Sequence, residues 1–365
     1  MADTLYFSRD TDVFVKIGSD IWEIPVLDGF SFSQATNTSE ITLNEMADTS
    51  GNSRRGRRMF NDSYAPAEWS FSTYMRPFKS TGAGVGAADN TADSHHGVEE
   101  VLWALMVGDA SYSAFDFTGF TRDTTDLDIT FANSNKTTLG TADFFFVMGG
   151  ATSGTKTTYK IEGCVVNEAA IDFDIDGIAT INWSGFGKII TEDTAPTATI
   201  TEAVTSTSNF IRNRLTALAL TTSAGGNHPA TYNVVLTGGN VTIANNITFL
   251  TPETLGVVNQ PIGHVTGTRS VSGNFTCYLN AEDDSSAELF ENLIEDTTSI
   301  TNDFELVFKI GGASGTPRVE LDMQACHLEI PTHSIDDIIS LETNFHALPS
   351  TIEGHNELAI KYVGA

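Results

Sequence analysis

Gly149-Gly150-Ala151-Thr152-Ser153-Gly154-Thr155 and, much later, Gly311-Gly312-Ala313-Ser314-Gly315-Thr316 are near-copies of one turn. In each, the first glycine lies 15 positions before a cysteine, Cys164 or Cys326. A repeat with preserved spacing sets the architecture before any single element is assigned. Upstream, Asp143-Phe144-Phe145-Phe146-Val147-Met148 matches Asp303-Phe304-Glu305-Leu306-Val307-Phe308, an apolar strand entering the glycine turn. Downstream, Ile175-Asp176-Gly177-Ile178-Ala179-Thr180-Ile181 matches Ile335-Asp336-Asp337-Ile338-Ile339-Ser340-Leu341 at an offset of 160. Earlier, Trp69-Ser70-Phe71-Ser72-Thr73-Tyr74 matches Gly273-Asn274-Phe275-Thr276-Cys277-Tyr278, both alternating as a half-buried strand does.

Each half also carries one helical stripe. Val98, Val101, Leu102, Leu105 and Met106 form the first, and Leu289, Phe290, Leu293 and Ile294 the second. The second follows Ser285-x-x-Glu288, the pattern of a capping box. Thr191 to Ser208 is rich in Thr, Ser and Ala, without hydrophobic periodicity, and reads as a linker. The expected architecture is mainly β: two tandem related domains, each a β-sandwich or partly closed barrel with one flanking α-helix. The boundaries are residues 1–195 for the first domain, 196–208 for the linker and 209–365 for the second.

Composition agrees with that class. Hydrophobic residues make up 40% of the 365, including 23 phenylalanines, enough for real cores. Lys and Arg number only 19 against 47 acids, and the net charge of −28 would repel nucleic acid. Met1-Ala2-Asp3-Thr4 has no basic start or apolar run, and no window approaches about 18 apolar residues. Neither export nor a membrane span is expected. Cys164, Cys277 and Cys326 are odd in number and widely spaced, which suits buried free thiols better than disulfides or zinc.

Thr231-Tyr232-Asn233-Val234-Val235-Leu236-Thr237-Gly238-Gly239, Ile247-Thr248-Phe249-Leu250 and Gly267-Thr268-Arg269-Ser270 resemble tail tube proteins of long-tailed bacteriophages. Ile339-Ser340-Leu341-Glu342-Thr343-Asn344-Phe345 and Leu358-Ala359-Ile360-Lys361-Tyr362 are similar too. The resemblance implies a structural virion protein whose inner sheet joins those of its neighbours around a lumen. Rings stack into a tube that conducts DNA during ejection. The internal repeat points to the form with two fused tube domains, which makes trimeric, pseudo-hexameric rings. Implied partners are further copies of the chain, tape measure and tail tip proteins, and DNA that passes without specific binding. No cofactor, metal or membrane is implied. The place of action is the phage tail, assembled in the host bacterial cytoplasm.

Arg54, Arg55, Arg57 and Arg58 concentrate positive charge in a Gly/Ser/Asn/Asp-rich loop of an acidic chain. A solvated loop and nucleic-acid binding are the competing readings; the expected role is contact with an acidic neighbour within or between rings. Asp172 and Asp174 alternate with Phe173 and Ile175, as on a strand with one wet face, and are expected to face the lumen. An offset of 160 puts Thr332 and Ser334 in their places. Asp172 also opens a calcium-loop pattern, but its twelfth position is Trp183 instead of Glu. Gly82-Ala83-Gly84-Val85-Gly86 lacks the Lys-Ser/Thr of a phosphate loop, and adjacent His95 and His96 read as an exposed loop before the first helix. No nucleophile elbow or repeated catalytic constellation is present, so no enzyme is expected. Two alternatives remain: another ring-forming tail part, such as a terminator or distal tail protein, and a carbohydrate-binding or adhesive β-sandwich. The second would display some of Trp22, Trp69, Trp103 and Trp183 on one exposed face.

Overall fold

The computed structural model describes residues 6–27, 29–42, 50, 57–80, 94–108, 110–113, 116–131, 138–149, 156–200, 209–223, 228–295, 303–313, 317–335 and 337–364. Among the described residues the chain is mainly β, with two α-helices and a short 3-10 helix at Asn213–Leu215. Its first half contains β1 (Thr11–Ile17), β2 (Asp20–Ile24), β3 (Ser31–Thr42), β4 (Arg57–Tyr74), β5 (Pro77–Lys79), β6 (His95–Gly97) and α1 (Glu100–Val107). Then come β7 (Tyr112–Ser113), β8 (Asp116–Phe117), β9 (Phe120–Arg122), β10 (Asp126–Thr130), β11 (Ala142–Met148), β12 (Thr157–Asp174), β13 (Thr180–Gly187) and β14 (Ile190–Asp193). The second half begins with β15 (Ala217–Thr222), β16 (Thr231–Tyr232), β17 (Leu236–Ala244), β18 (Thr248–Leu250), β19 (Gly263–Val265) and β20 (Ser270–Tyr278). It ends with α2 (Ser286–Glu295), β21 (Phe304–Ile310), β22 (Arg318–Leu328), β23 (Thr332–Ile335), β24 (Ile339–Ala347) and β25 (Ala359–Val363).

The segments matched in sequence share strand register. In the first half Ala142 faces Cys164 and the next pair is Phe144 with Ile161, which marks a bulge. In the second half Phe304 faces Cys326 and then Leu306 faces Met323. Each bulge turns the thiol onto the carbonyl three residues back, Cys164 onto Ile161 at 3.4 Å and Cys326 onto Met323 at 3.6 Å. All three cysteines are buried and unpaired. Likewise Tyr74 faces Thr180 and Phe71 faces Trp183, as Tyr278 faces Ser340 and Phe275 faces Thr343.

The turns differ. From Asp172 to its partner Thr180 the chain spans eight positions, and from Ser334 to Ser340 six. Asp172 therefore corresponds to Ser334, a correction of the constant offset used above. β12 runs unbroken for 18 residues, whereas its counterpart is divided at Pro331, which has no N–H to give a ladder, into β22 and β23.

β12 is the strand that joins the layers. Its first part pairs with β11 and β14, extending the outer sheet of β2, β1 and β11. Its last part pairs with β13 on one side and β17 on the other. The result is one wide sheet in the order β3, β4, β13, β12, β17, β20, β24, β23. A second outer layer runs β16, β15, β21, β22, β25, β10, β9, so β10 from the first half extends the second half's sheet. Among the described strands the pairings close no barrel.

The core fills the space between layers and is continuous across both halves. Trp69 packs on Phe144 at 4.6 Å between ring centroids, Trp103 meets Trp183 edge-on at 4.7 Å, and Phe173 of β12 reaches Phe308 of the second half at 5.0 Å. Aromatic pairs of this geometry add about 0.5–1.5 kcal/mol to the burial of their area. At β17 the strands approach closely: a Cβ on Gly239 would lie 2.5 Å from the Asn274 carbonyl oxygen, so only glycine fits.

The helices differ in setting. Every residue of α1 is buried: β12 and β10 pack against it, and Trp103 reaches Tyr362 of β25. α1 packs on β12, on the flank of a sheet as expected, and unlike α2 it is buried all round. α2 keeps the amphipathic arrangement, with Leu289 and Leu293 buried and Ile294 exposed. Its expected cap is half-built: Glu288 accepts from Asp284 N at 2.8 Å, but the Ser285 hydroxyl donates to Asn280 O instead.

Asn245 fastens this junction. Its buried amide donates to Met106 O of α1 at 3.0 Å and to Val166 O of β12 at 3.2 Å, while its backbone N–H donates to Asn167 O. Asn245→Ala should lower unfolding free energy by about 1–3 kcal/mol, since it strands buried carbonyl oxygens. Urea denaturation would measure the loss, and an unchanged midpoint would remove Asn245 from this role.

Candidate functional site

Alternation along the eight strands of the wide sheet sends one set of side chains into the core and the other to a polar outer face. Across register, Tyr74, Thr180, Asp172, Asn240, Asn274 and Asn344 form one row on that face. Side-chain hydrogen bonds tie strand to strand: Ser72 to Asn182 at 2.6 Å, Asn240 to Asn274 at 3.2 Å and Asn274 to Glu342 at 2.9 Å.

Glu68, Glu168, Asp172, Asp174 and Glu342 lie on this face. The only Lys or Arg in the eight strands are Arg57 and Arg58, at the far end of β4, and Lys160, in the part of β12 that belongs to the outer sheet. The face thus carries acids without interleaved cations. Asp172 and Asp174 are both exposed, two positions apart on one strand, and Asp172 accepts from Asn182 Nδ2 at 3.4 Å.

The basic loop joins β3 to β4. Arg54 and Arg55 lie outside the described residues, as does the glycine run 82–86. Arg57 and Arg58 open β4 on the part of the hairpin that projects past the sheet, and Arg57 pairs with Glu40 at 2.6 Å while staying largely exposed. Ile41, Met59 and Phe60 beside them are exposed. A bulge near Asp62 breaks the β3–β4 ladder, since Asn37 faces Ser63 and the next pair is Thr38 with Asn61. Asn259, from the loop between β18 and β19, takes up the freed backbone groups. Its N–H donates to Asp62 O at 3.2 Å and its carbonyl accepts from Tyr64 N at 2.9 Å. The Asn259 side chain closes its own loop through Thr254 N and Thr254 O, both at 3.1 Å. Sequence reading held no sign of this brace, because the partners are almost 200 residues apart and meet only through backbone atoms.

A charged cluster is buried beside α1. His95 and His96 belong to β6 and are inaccessible, not in an exposed loop; Phe78 stacks on the His96 ring. Glu100 meets His96 and Arg122 at 3.2 Å each, and Arg122 also reaches Asp116. Burial opposes the Glu100 charge, but Arg122 and His96 outweigh it and hold the carboxyl well below the usual range. Next to it, Tyr362 of β25 donates to Glu99, and Trp103 Nε1 donates to Tyr362 Oη at 2.7 Å. This cluster lies within the packing between α1 and the C-terminal strand. All four tryptophans are buried, so the exposed aromatic face that an adhesive β-sandwich would present is not built from them. No helix among the described residues is long and apolar enough to cross a membrane.

Residues 34–347, which include the whole of β4, most of the wide sheet's polar face and the Asn259 brace, match the model of the phage tail tube protein family. The chain belongs to that family and is a structural component of the virion tail. It is similar to tail tube protein pb6 of Escherichia phage T5, with 30% identity over 369 residues, covering 97% of this chain and 75% of that protein.

Glu99 yields a pH test. Burial pushes its carboxyl up to about 8 from 4.5, against the opposing hydrogen bond from Tyr362. The folded state then holds a proton that the unfolded chain has released, so this group's contribution to stability is greatest below about 4.5, falls as pH rises to about 8, and is level beyond. Glu99→Gln should melt higher than the parent at about pH 8, by about 1 kcal/mol or more, and equal it near pH 4. Melting curves at both pH values decide; an equal difference at both would contradict a buried neutral acid.

Proposed function

We propose that this chain assembles three to a ring, and that the rings stack into the tube through which phage DNA passes. The observation that carries this reading is the wide sheet. On this reading residues 1–195 and 209–365 are the two units, with 196–208 between; β12 and β17 pair edge to edge, and the outermost strands β3 and β23 each have one described neighbour. Open strand edges offer unpaired N–H and C=O groups, and pairing each β3 with the β23 of a neighbour would satisfy them and close a barrel. A unit already doubled needs three copies where a single-domain subunit needs six.

On this reading the polar face lines the bore. Asp172, Asp174 and the other acids of that face then repel the DNA backbone, and Ser, Thr and Asn fill the remainder. Partners are further copies of the chain, with tape measure and tail tip proteins at the tube's interior and end. The arginine loop, Arg54, Arg55, Arg57 and Arg58, contacts an acidic surface of a neighbouring copy.

Electron microscopy of concentrated protein should show rings or tubes with three-fold rotational symmetry. Replacing the four arginines with serine should leave the melting midpoint unchanged and reduce tube length severalfold. Normal assembly of that variant across salt concentrations would dismiss the loop contact. In a reconstruction of the tube, Asp172 and Asp174 should border the bore; finding them on the outer wall would reverse the assignment of the sheet's faces.

A further inference from the structure

The turn between β12 and β13 is fastened to the second half of the chain. Residues 211–213 run antiparallel to residues 177–179: Ala179 N donates to Ile211 O at 2.9 Å, Ile178 bridges Arg212, and Asn213 N donates to Gly177 O at 3.1 Å. The short 3-10 helix Asn213–Leu215 then leads into β15. Between this segment, the end of β12 and the start of β17 lies a cleft of about 160 Å³, bordered by Asp174, Asn213, Thr216, Thr237 and Gly238. Both halves of the chain build it.

Oxygen atoms dominate the polar part of its wall. Asn213 is only 8% exposed, and among the described residues nothing bonds to its Oδ1 or to the buried Oγ1 of Thr216. Asn213 Nδ2 lies toward the turn, 3.8 Å from where a Cβ on Gly177 would stand, which leaves Oδ1 to the cleft. A buried acceptor without a donor is costly until a ligand meets it. Asp174 closes β12 opposite Gly238, and its Oδ1 accepts from Ile175 N at 2.6 Å. That oxygen stands 3.9 Å from the point a Cβ on Gly238 would occupy, so the bare glycine leaves the space beside the carboxylate free. The Thr237 hydroxyl donates to Thr276 O at 3.0 Å and keeps its lone pairs. Arg214 also borders the cleft, but its Nη1 is on Asp176 at 3.4 Å, where both side chains are largely exposed, so a second carboxylate answers its charge.

We propose that this cleft is a site for a hard divalent cation, calcium in particular, held by Asp174, Asn213 Oδ1 and Thr216 Oγ1 with water completing the shell. A carboxylate joined by neutral oxygens suits calcium, which accepts irregular geometry, better than magnesium, which demands a near-ideal octahedron. No histidine or cysteine borders the cleft to favour zinc or copper. The net charge of −28 concentrates cations around the chain. With one carboxylate the affinity belongs to the weak range, a Kd of about 10⁻⁴–10⁻³ M. The donors come from separate segments, so this is not the twelve-residue loop pattern that Asp172 opens. A bound ion would tie the β12–β13 turn to the segment entering β15, and so stabilise the seam between the halves whatever the symmetry of a ring.

Calcium titrated into the full chain should raise its melting midpoint saturably, beyond the effect of sodium chloride at matched ionic strength. Asp174→Asn, at an exposed position, should melt like the parent in chelator and bind calcium about tenfold more weakly or worse by equilibrium dialysis. Asn213→Asp should act in the opposite sense. It should melt below the parent in chelator, because it buries a charge, and bind calcium about tenfold more tightly, because it adds a charged ligand. A residue that only packs would show the first effect without the second, so an Asn213→Asp variant with no gain in calcium affinity would overturn the site. An undiminished calcium response in Asp174→Asn would overturn it too, by placing the ion elsewhere on this acidic chain. So would a parent chain that responds to calcium no more than to sodium, which would leave Asn213 Oδ1 to water.

Discussion

The structure depends on how β12 distributes its backbone hydrogen bonds. Eighteen residues of one strand pair with four others, two in the outer layer and two in the wide sheet. On one side β14 is the partner up to Ile161 and β13 from Val165, and on the other β11 up to Cys164 and β17 from Glu168. A bulge at Asn167, of the kind that bends and twists a strand, interrupts the ladder with β13 just where β17 joins. The groups that the bulge frees are used at once: Asn167 O accepts from Asn245 and its side chain accepts from Ile247 N. Because the same strand borders β17, its inward side chains enter both halves of the core. Ile171 and Phe173 are buried in a cluster that also holds Phe308 and Phe345. The halves consequently share an interior, and a lesion in β12 would be felt in both.

A sheet with one face in the core must find a use for the other. Antiparallel sheets usually give that face to water, with mixed charges. This one gives it small hydroxyls and amides plus acids, and confines arginine to the hairpin projecting past the sheet. With no Lys or Arg standing between them on the strands of the sheet, the acids are not neutralised from strand to strand; at the β12–β13 turn Arg214 pairs with Asp176. In the proposed tube the field of the acids acts on a polyanion in transit, where attraction would slow passage and repulsion keeps the DNA from the wall.

Much of the framework was legible in the chain. The 15-residue interval from glycine to cysteine was a bulge seen in sequence, since a bulge fixes where the thiol sits relative to the turn. Alternation in Trp69–Tyr74 and its counterpart predicted the strands and their faces, and Asp172 and Asp174 are exposed as that alternation requires. What local pattern left open shares one cause, which is contact between distant segments. α1 lies on a sheet flank as its stripe predicts, but Trp103, Ala104 and Val107 also make the rest of its surface apolar, and a helix apolar all round is buried all round. The pair that meets it there, β10 with β25, joins residues more than 200 positions apart by backbone hydrogen bonds that no local pattern announces. His95 and His96 were misplaced for the same reason, since Glu100 is near in sequence but Arg122 reaches them only through the fold. The Asn259 brace left no trace because backbone atoms carry no residue identity.

Shared register with unlike loops has a physical consequence. In a ring of identical single-domain subunits every connection between corresponding strands is the same, so a loop that braces must also be one that projects. Two copies in one chain separate those tasks. Here the first half supplies the long hairpin with the arginines, and the second half supplies the loop whose Asn259 holds it. Their encounter is intramolecular, so the brace forms at an effective concentration set by the fold instead of by the supply of neighbours. The described part of the hairpin is thereby held within one molecule, and in the proposed tube the entropy of fixing it would not be charged to assembly. On the proposed reading of two fused units, the strand framework that repeats along the sheet is preserved while its two ends diverge.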